Sequence, residues 1–267
     1  MTAWTVEIYQ LPGLNACAAS LTLFNAEYSK LITVSASYGA PLMQLSHLHV
    51  RDLVGNLVGA SDVFRKFEID FYRIGGLELH EAAARQHLPF EDIETALACL
   101  PPNPSPPPTS TMGLITYIDT RYHAVHRTHL LSAIRLAKAI EVNEKNDTAA
   151  NQPCPSGLTN LLTLLFDTLE DHQEGEAENL YPALINSPQH SLRYPVCRAM
   201  VEHDEISEQL DTLARLTNGY LPPEDAGLRQ RILYKLCSVL DGDVRLHMHL
   251  ENNLLFPPFA GDVAIAS

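Results

Sequence analysis

Leu158, Leu162, Leu165 and Leu169 step along the chain by fours and threes, the spacing that lays one apolar stripe down a helix. Prolonging that stripe reaches His172 and Glu176, within a predicted helix over 157–186. A second stripe, Val196, Met200, His203, Ile206, Leu210 and Leu213, predicts a helix over 190–218. A third, Leu233, Leu236, Leu240, Val244, His247, Glu251 and Leu254, predicts one over 225–255. The segment 111–144 is less regular, but His123 falls in line with Ile115, Leu130 and Ile134. Four long amphipathic helices in succession predict an all-α chain ending in a four-helix bundle over 110–258.

The pattern changes before the bundle. Leu53, Val54, Leu57, Val58, Val63, Phe64 and Phe67 give a shorter helical rhythm, and Ile93, Leu97 and Leu100 another, predicting a small helical domain over 50–100. The prolines between Pro101 and Pro108 lack amide donors and fix φ, so 101–109 reads as a stiff, extended linker and a domain boundary. Val6, Ile8, Leu21, Leu23, Leu31 and Val34 suggest short strands or irregular structure in an added N-terminal segment, 1–49, to which no function is assigned.

The polar residues on the bundle stripes carry the chemistry. A buried carboxylate must protonate, pair or bind a metal, because leaving it charged and alone in a core is too costly. His172/Glu176 and His247/Glu251 repeat one arrangement, His-x-x-x-Glu. Residues four apart share a helix face and stand about 6 Å apart along the axis. One helix therefore offers an imidazole to one metal and a carboxylate that bridges to a second. Two such helices, with His123 and His203 from the others, predict a near-symmetric two-metal site akin to carboxylate-bridged di-iron bundles. Nitrogen and oxygen donors without thiolate suit iron or manganese.

A lone core histidine is usually hydrogen bonded to backbone, and one His-x-x-x-Glu is usually a solvent-facing pair. Two such pairs on leucine-lined stripes carry the metal reading. His126, His129, Glu174, Glu178 and His249 fall off the stripes and are expected at the surface. His172 and His203 lie at similar intervals from the turn near Asn186–Pro188, so they should be level. The intervals from His203 and His247 to the Pro222-Pro223 turn differ, so the third helix or its loop must run on.

Composition narrows the partners. An apolar share of 46% with 19% charged residues is ordinary for a globular protein. A net charge of −14 argues against nucleic acid or an anionic membrane surface, which need a basic patch. No apolar run is long enough to span a bilayer, and Met1–Glu7 lacks the basic start and apolar core of a signal peptide. The five cysteines (Cys17, Cys99, Cys154, Cys197, Cys237) are odd in number, scattered and free of CxxC pairs, as in a reduced cytoplasmic protein.

Several stretches together resemble a known family. They are Tyr122-His123, Asp171-His172-Gln173-Glu174-Gly175-Glu176 with Leu180-Tyr181-Pro182, Glu202-His203-Asp204-Glu205, and His247 through Pro257 with its Glu251-Asn252-Asn253 and Leu255-Phe256-Pro257. They resemble the hemerythrin-like domain of the repair-of-iron-centres family, which restores iron–sulfur clusters. Val54-Gly55 through Phe64, Ile69-Asp70-Phe71 and Gly75-Gly76 resemble that family's small N-terminal domain, so the likeness covers about 50–258. It implies two iron ions, oxo- or hydroxo-bridged, held by His123, His172, Glu176, His203, His247 and Glu251. It further implies a bacterial cytoplasmic stress protein that binds nitric oxide at an open iron position, lowering or reducing it. The alternatives are an iron donor for damaged iron–sulfur proteins and a plain dioxygen- or metal-binding module. Two departures stand out. Tyr72-Arg73-Ile74 replaces the one or two cysteines usual after Asp-Phe, and a histidine frequent late in the family's first helix is missing near Asn143-Glu144.

Overall fold

The computed structural model describes residues 45–146, 155–186 and 192–260. Of the segment 1–49 read as strands or irregular structure, residues 1–44 lie outside the described residues, as do Cys17 and Cys154. Within them the chain is helical, with isolated β-bridges at His49–Glu78 and Leu57–Pro102. No helix among the described residues is long and apolar enough to cross a membrane.

The first unit consists of a 3-10 turn, Leu45–His47, and α1 (Val50–Asn56), α2 (Ala60–Lys66), α3 (Leu79–Arg85) and α4 (Phe90–Ala98). Its core gathers Val50, Leu53, Phe64, Ile69, Phe71, Leu79, Ile93 and Leu97. Val58 departs from the expected stripe and is half exposed, because α1 stops at Asn56 and Gly59 turns the chain with a φ of 90° before α2. The proline segment bends at Pro104-Ser105 and is tied down along this unit. Val58 N–H donates to Pro101 O (3.0 Å), and Asn103 donates to Asn56 O (2.7 Å) and, through its side chain, to Gly55 O (3.0 Å).

Ser110 caps the next helix by accepting from Gly113 N–H. α5 (Thr111–Ile118) passes through a π turn, Asp119–His123, into α6 (Ala124–Asn146). α7 (Leu158–Gly175) likewise continues through Glu176–Leu180 into α8 (Tyr181–Asn186). α9 (Arg193–Leu216) has no such turn, and α10 (Leu228–Leu250) runs into Glu251–Leu255 before the short α11 (Pro257–Ala260). α6 packs on α7, α7 on α9, α9 on α10 and α10 back on α6, closing a four-helix ring. The connection 217–227 absorbs the unequal spacing of His203 and His247 from their turn.

Two apolar clusters fill the bundle. One holds Leu130, Ile134, Leu162, Leu165, Leu169, Ile206, Leu210, Leu240 and Val244. The other holds Ile118, Tyr122, Leu180, Leu184, Val196, Ala199, Leu255 and Phe256. α9 and α10 each pass from one cluster to the other, α5 leads into α6 and α7 into α8 across the same boundary, and the polar stripe residues fall between the clusters.

The two units interlock. Tyr72 of the small unit joins the first bundle cluster, and Leu246 of α10 packs into the small unit's core. Asn253 Nδ2 donates to Tyr72 O (2.9 Å), and His249 Nδ1 donates to Phe71 O (3.2 Å). Gly75 lies so close that a Cβ there would stand 2.3 Å from Asn253 Oδ1. Arg65 bonds the buried Asp241 (2.6 Å), which also accepts from Arg245 (2.8 Å).

Candidate metal centre

The six expected residues, His123, His172, Glu176, His203, His247 and Glu251, are all buried in one layer between the two apolar clusters. His123 Nε2 faces His247 Nε2 at 3.1 Å, and His172 Nε2 faces His203 Nε2 at 3.0 Å, as the level spacing required. Glu251 Oε2 lies 2.9 Å from His247 Nε2 and 3.1 Å from His203 Nε2. Glu176 Oε1 lies 3.3 Å from His172 Nε2, and its Oε2 lies 3.7 Å from His123 Nε2. The donor atoms form two groups that could each hold a metal ion, His172–His203–His247–Glu251 and His123–Glu176–His247–Glu251, each within 4.8 Å. His247 and Glu251 belong to both.

Three π turns place this layer. Each adds a residue to its turn, seen in the bonds from Ala124 N–H to Asp119 O, Tyr181 N–H to Glu176 O and Phe256 N–H to Glu251 O. In a regular helix the fifth residue on points about 140° away. The wider turn brings it back toward the starting residue. Tyr181 therefore reaches Glu176, with its hydroxyl 3.3 Å from Oε2, and also donates to Glu251 Oε1. Phe256, by the same offset from Glu251, stacks on His203 with ring centroids 6.1 Å apart.

Outer partners fix the imidazoles. His172 Nδ1 donates to Glu202 Oε2 (2.9 Å), which Arg198 steadies from the other side (2.8 Å). His203 Nδ1 donates to Asn252 Oδ1 (2.8 Å). Each bond leaves Nε2 with its lone pair toward the centre, the usual support for a metal-binding histidine. Periodicity missed Glu202 and Asn252, although each directly precedes or follows a stripe residue in sequence. His126 and His249 correct the surface expectation, since both are buried. His126 packs beside Tyr122 and His247 and meets Gln173, whereas His249 anchors the small unit. Helices enclosed on several sides bury more than one stripe. Glu174 and Glu178 are exposed, as expected.

The electrostatics suit a cation. Burial, aided by neighbouring imidazoles, lowers His123 to about 3, and burial lowers His172 to about 4 despite the pull of Glu202. The hydrogen bond from His172 lowers Glu202 to about 2. Burial and the charge of Glu251 hold Glu176 well above the carboxylate range. Burial would raise Glu251 too, but His247 and His203 overcome it and hold that carboxyl well below. Glu176 Oε1, Glu251 Oε2 and His247 Nδ1 are buried without a hydrogen-bond partner. Imidazole nitrogens facing one another and orphaned carboxylate oxygens fit a bound cation, which satisfies lone pairs that protons satisfy only at the expense of burying charge.

Residues 116–259 match the hemerythrin HHE cation binding domain. The chain is 33% identical over 219 residues to the iron-sulfur cluster repair protein YtfE of Dickeya chrysanthemi, covering 79% of this chain and 97% of that one. The protein of the same name from Escherichia coli O157:H7 is 34% identical over 210 residues, 77% of this chain and 93% of its own. That of Edwardsiella ictaluri is 33% identical over 216 residues, covering 79% and 96%.

Proposed function

Because the chain belongs to the iron–sulfur cluster repair proteins built on a hemerythrin HHE cation binding domain, we propose that its bundle holds two iron ions and serves the repair of damaged iron centres. The carrying observation is the pair of overlapping ligand groups that share His247 and Glu251. His172 and His203 complete one group, and His123 and Glu176 the other. Glu251, common to both and flanked by two imidazoles, would serve both ions with its carboxylate. Iron held by these residues would supply a redox-active ion there.

The chain's own groups prepare that place. Glu202 and Asn252 orient His172 and His203, and the Tyr181 hydroxyl holds the two carboxylates in register. The apolar clusters above and below keep bulk water away.

Nitric oxide capture at an open iron position is the second reading, and one feature favours it. Where a family thiol is expected, Tyr72 is buried in the bundle core and Arg73 is spent on Asp70 (2.6 Å) and Asp204 (2.9 Å). That position offers no sulfur to hold iron or pass electrons, whereas a bundle site needs none to bind a small neutral gas. The test gives the reduced, iron-loaded full chain to an iron–sulfur dehydratase inactivated by nitric oxide. Recovery of dehydratase activity is expected, and loss of that recovery with Glu251→Ala. Should the chain restore nothing yet take up stoichiometric nitric oxide with a new visible absorption, capture is the function and repair is not.

A further inference from the structure

Outside the bundle, ligand-type side chains converge at one other place among the described residues. His47 ends the 3-10 turn, Glu78 stands immediately before α3 and His80 lies in its first turn. The main chain sets them side by side. Val50 N–H donates to Leu77 O (2.9 Å) and Leu79 N–H to Leu48 O (2.9 Å), an antiparallel crossing centred on the His49–Glu78 bridge. Glu78 Oε2 then lies 2.9 Å from His47 Nδ1, and the His47 and His80 rings stand 5.3 Å apart. We propose that His47, Glu78 and His80 form a second metal site, taking one divalent first-row transition ion on the outer face of the small unit.

An exposed histidine–glutamate contact is ordinarily a weak ion pair. Three features distinguish this group. First, the three ligand atoms fall within 4.8 Å of one another, the compass of a single coordination sphere. Atoms each about 2.0–2.2 Å from a shared zinc lie roughly this far apart or closer. Second, His80 Nδ1 is 2.9 Å from Ser46 O. A proton on Nδ1 satisfies that fixed carbonyl and leaves the Nε2 lone pair free. This is the outer hydrogen bond that typically orients a metal-binding imidazole. Third, the ligands ride on hydrogen-bonded backbone, so little further ordering is needed to bind. Two imidazoles and one carboxylate select zinc, iron(II), cobalt or nickel over magnesium or calcium, which prefer oxygen.

The site differs from the bundle centre in access. His47 and His80 are exposed, whereas all six bundle residues are buried. The outer ion should therefore exchange quickly with solution, and its binding clips the 3-10 turn to the start of α3.

The experiment dialyses the full chain against cobalt(II) and counts bound cobalt by elemental analysis while following its visible absorption. It is repeated on His47→Ala, His80→Ala and Glu78→Gln. The difference between wild type and variant counts the outer site alone, whatever the bundle holds. The expected result is one saturable cobalt fewer per chain in each histidine variant, weakened binding with Glu78→Gln, and unchanged helicity by circular dichroism. Excess zinc should displace that cobalt and excess magnesium should not. Equal cobalt binding by wild type and the His47→Ala/His80→Ala double variant would overturn the proposal, as would displacement by magnesium.

Discussion

At the scale of single residues, helix facing decides which carboxylates matter. Glu174, Glu176 and Glu178 lie within five residues of one another, yet only Glu176 is buried against imidazoles. Glu174 and Glu178 point to solvent, where a carboxylate keeps its water and gains nothing from a metal inside. Replacing Glu176 or Glu251 by alanine should strip most of the iron from the purified protein. Glu174→Ala and Glu178→Ala should retain it, by elemental analysis of parallel preparations. Equal loss in all four variants would mean that metal binding does not depend on the buried layer. The contrast was legible in the sequence because the apolar stripes of α7 and α10 run straight into His172/Glu176 and His247/Glu251. Glu202 was not, since a half-buried residue beside a stripe looks like any other charged flank. His126 and His249 were misread for a related reason. Periodicity identifies the most buried face, and it is blind to a second face covered by another helix or, for His249, by a separate unit.

At the scale of elements, the π turns are what simple periodicity could not anticipate, because they change the period itself. For two of the three, a cause is nonetheless written in the chain. Pro182 follows Tyr181 and Pro257 follows Phe256, each six residues after a buried glutamate. Proline has no amide to donate, and its ring presses on the preceding turn, which loosens the helix just ahead of it. The turns Glu176–Leu180 and Glu251–Leu255 occupy that place. Widening there returns Tyr181 and Phe256 to the ligand layer, so the same device serves both halves of the centre. Pro182→Ala restores the missing donor and lets the turn tighten, which would carry the Tyr181 hydroxyl off Glu176 and Glu251. Loss of such an outer partner typically weakens metal binding about 10- to 100-fold. Competition with a chromophoric chelator should therefore show weaker binding in Pro182→Ala, with circular dichroism near that of wild type. Affinity equal to wild type would show that the widened turn does not depend on the proline.

At the scale of the whole molecule, the bundle buries polar groups in its middle, so its stability is tied to metal and to protons together. His123, His126 and His172 all have lowered pKa values in the fold, with burial as the leading cause. Unfolded, they take up protons near an ordinary histidine value of about 6.5. The unfolded chain thus binds more protons as pH drops, and stability present above about 6.5 is lost progressively toward pH 4. Glu176 acts in the opposite sense. Its raised pKa means the fold retains a proton that the unfolded chain releases, so it withdraws stability as pH rises above about 4.5. Without metal, the protein is therefore squeezed from both sides, losing stability toward acid through the histidines and toward higher pH through Glu176. A bound cation takes the lone pairs of the imidazoles and the charge of Glu176, and by binding only the folded chain it adds stability of its own. The acid loss remains, because protons still compete for the nitrogens, but the loss contributed by Glu176 disappears. Thermal melts of metal-free and iron-loaded protein between pH 5 and 9 should show the loaded form higher throughout. The gap should widen as pH rises, because the raised pKa of Glu176 weighs on the metal-free form alone. Identical melting temperatures for the two forms at neutral pH would place the metal somewhere other than this buried layer.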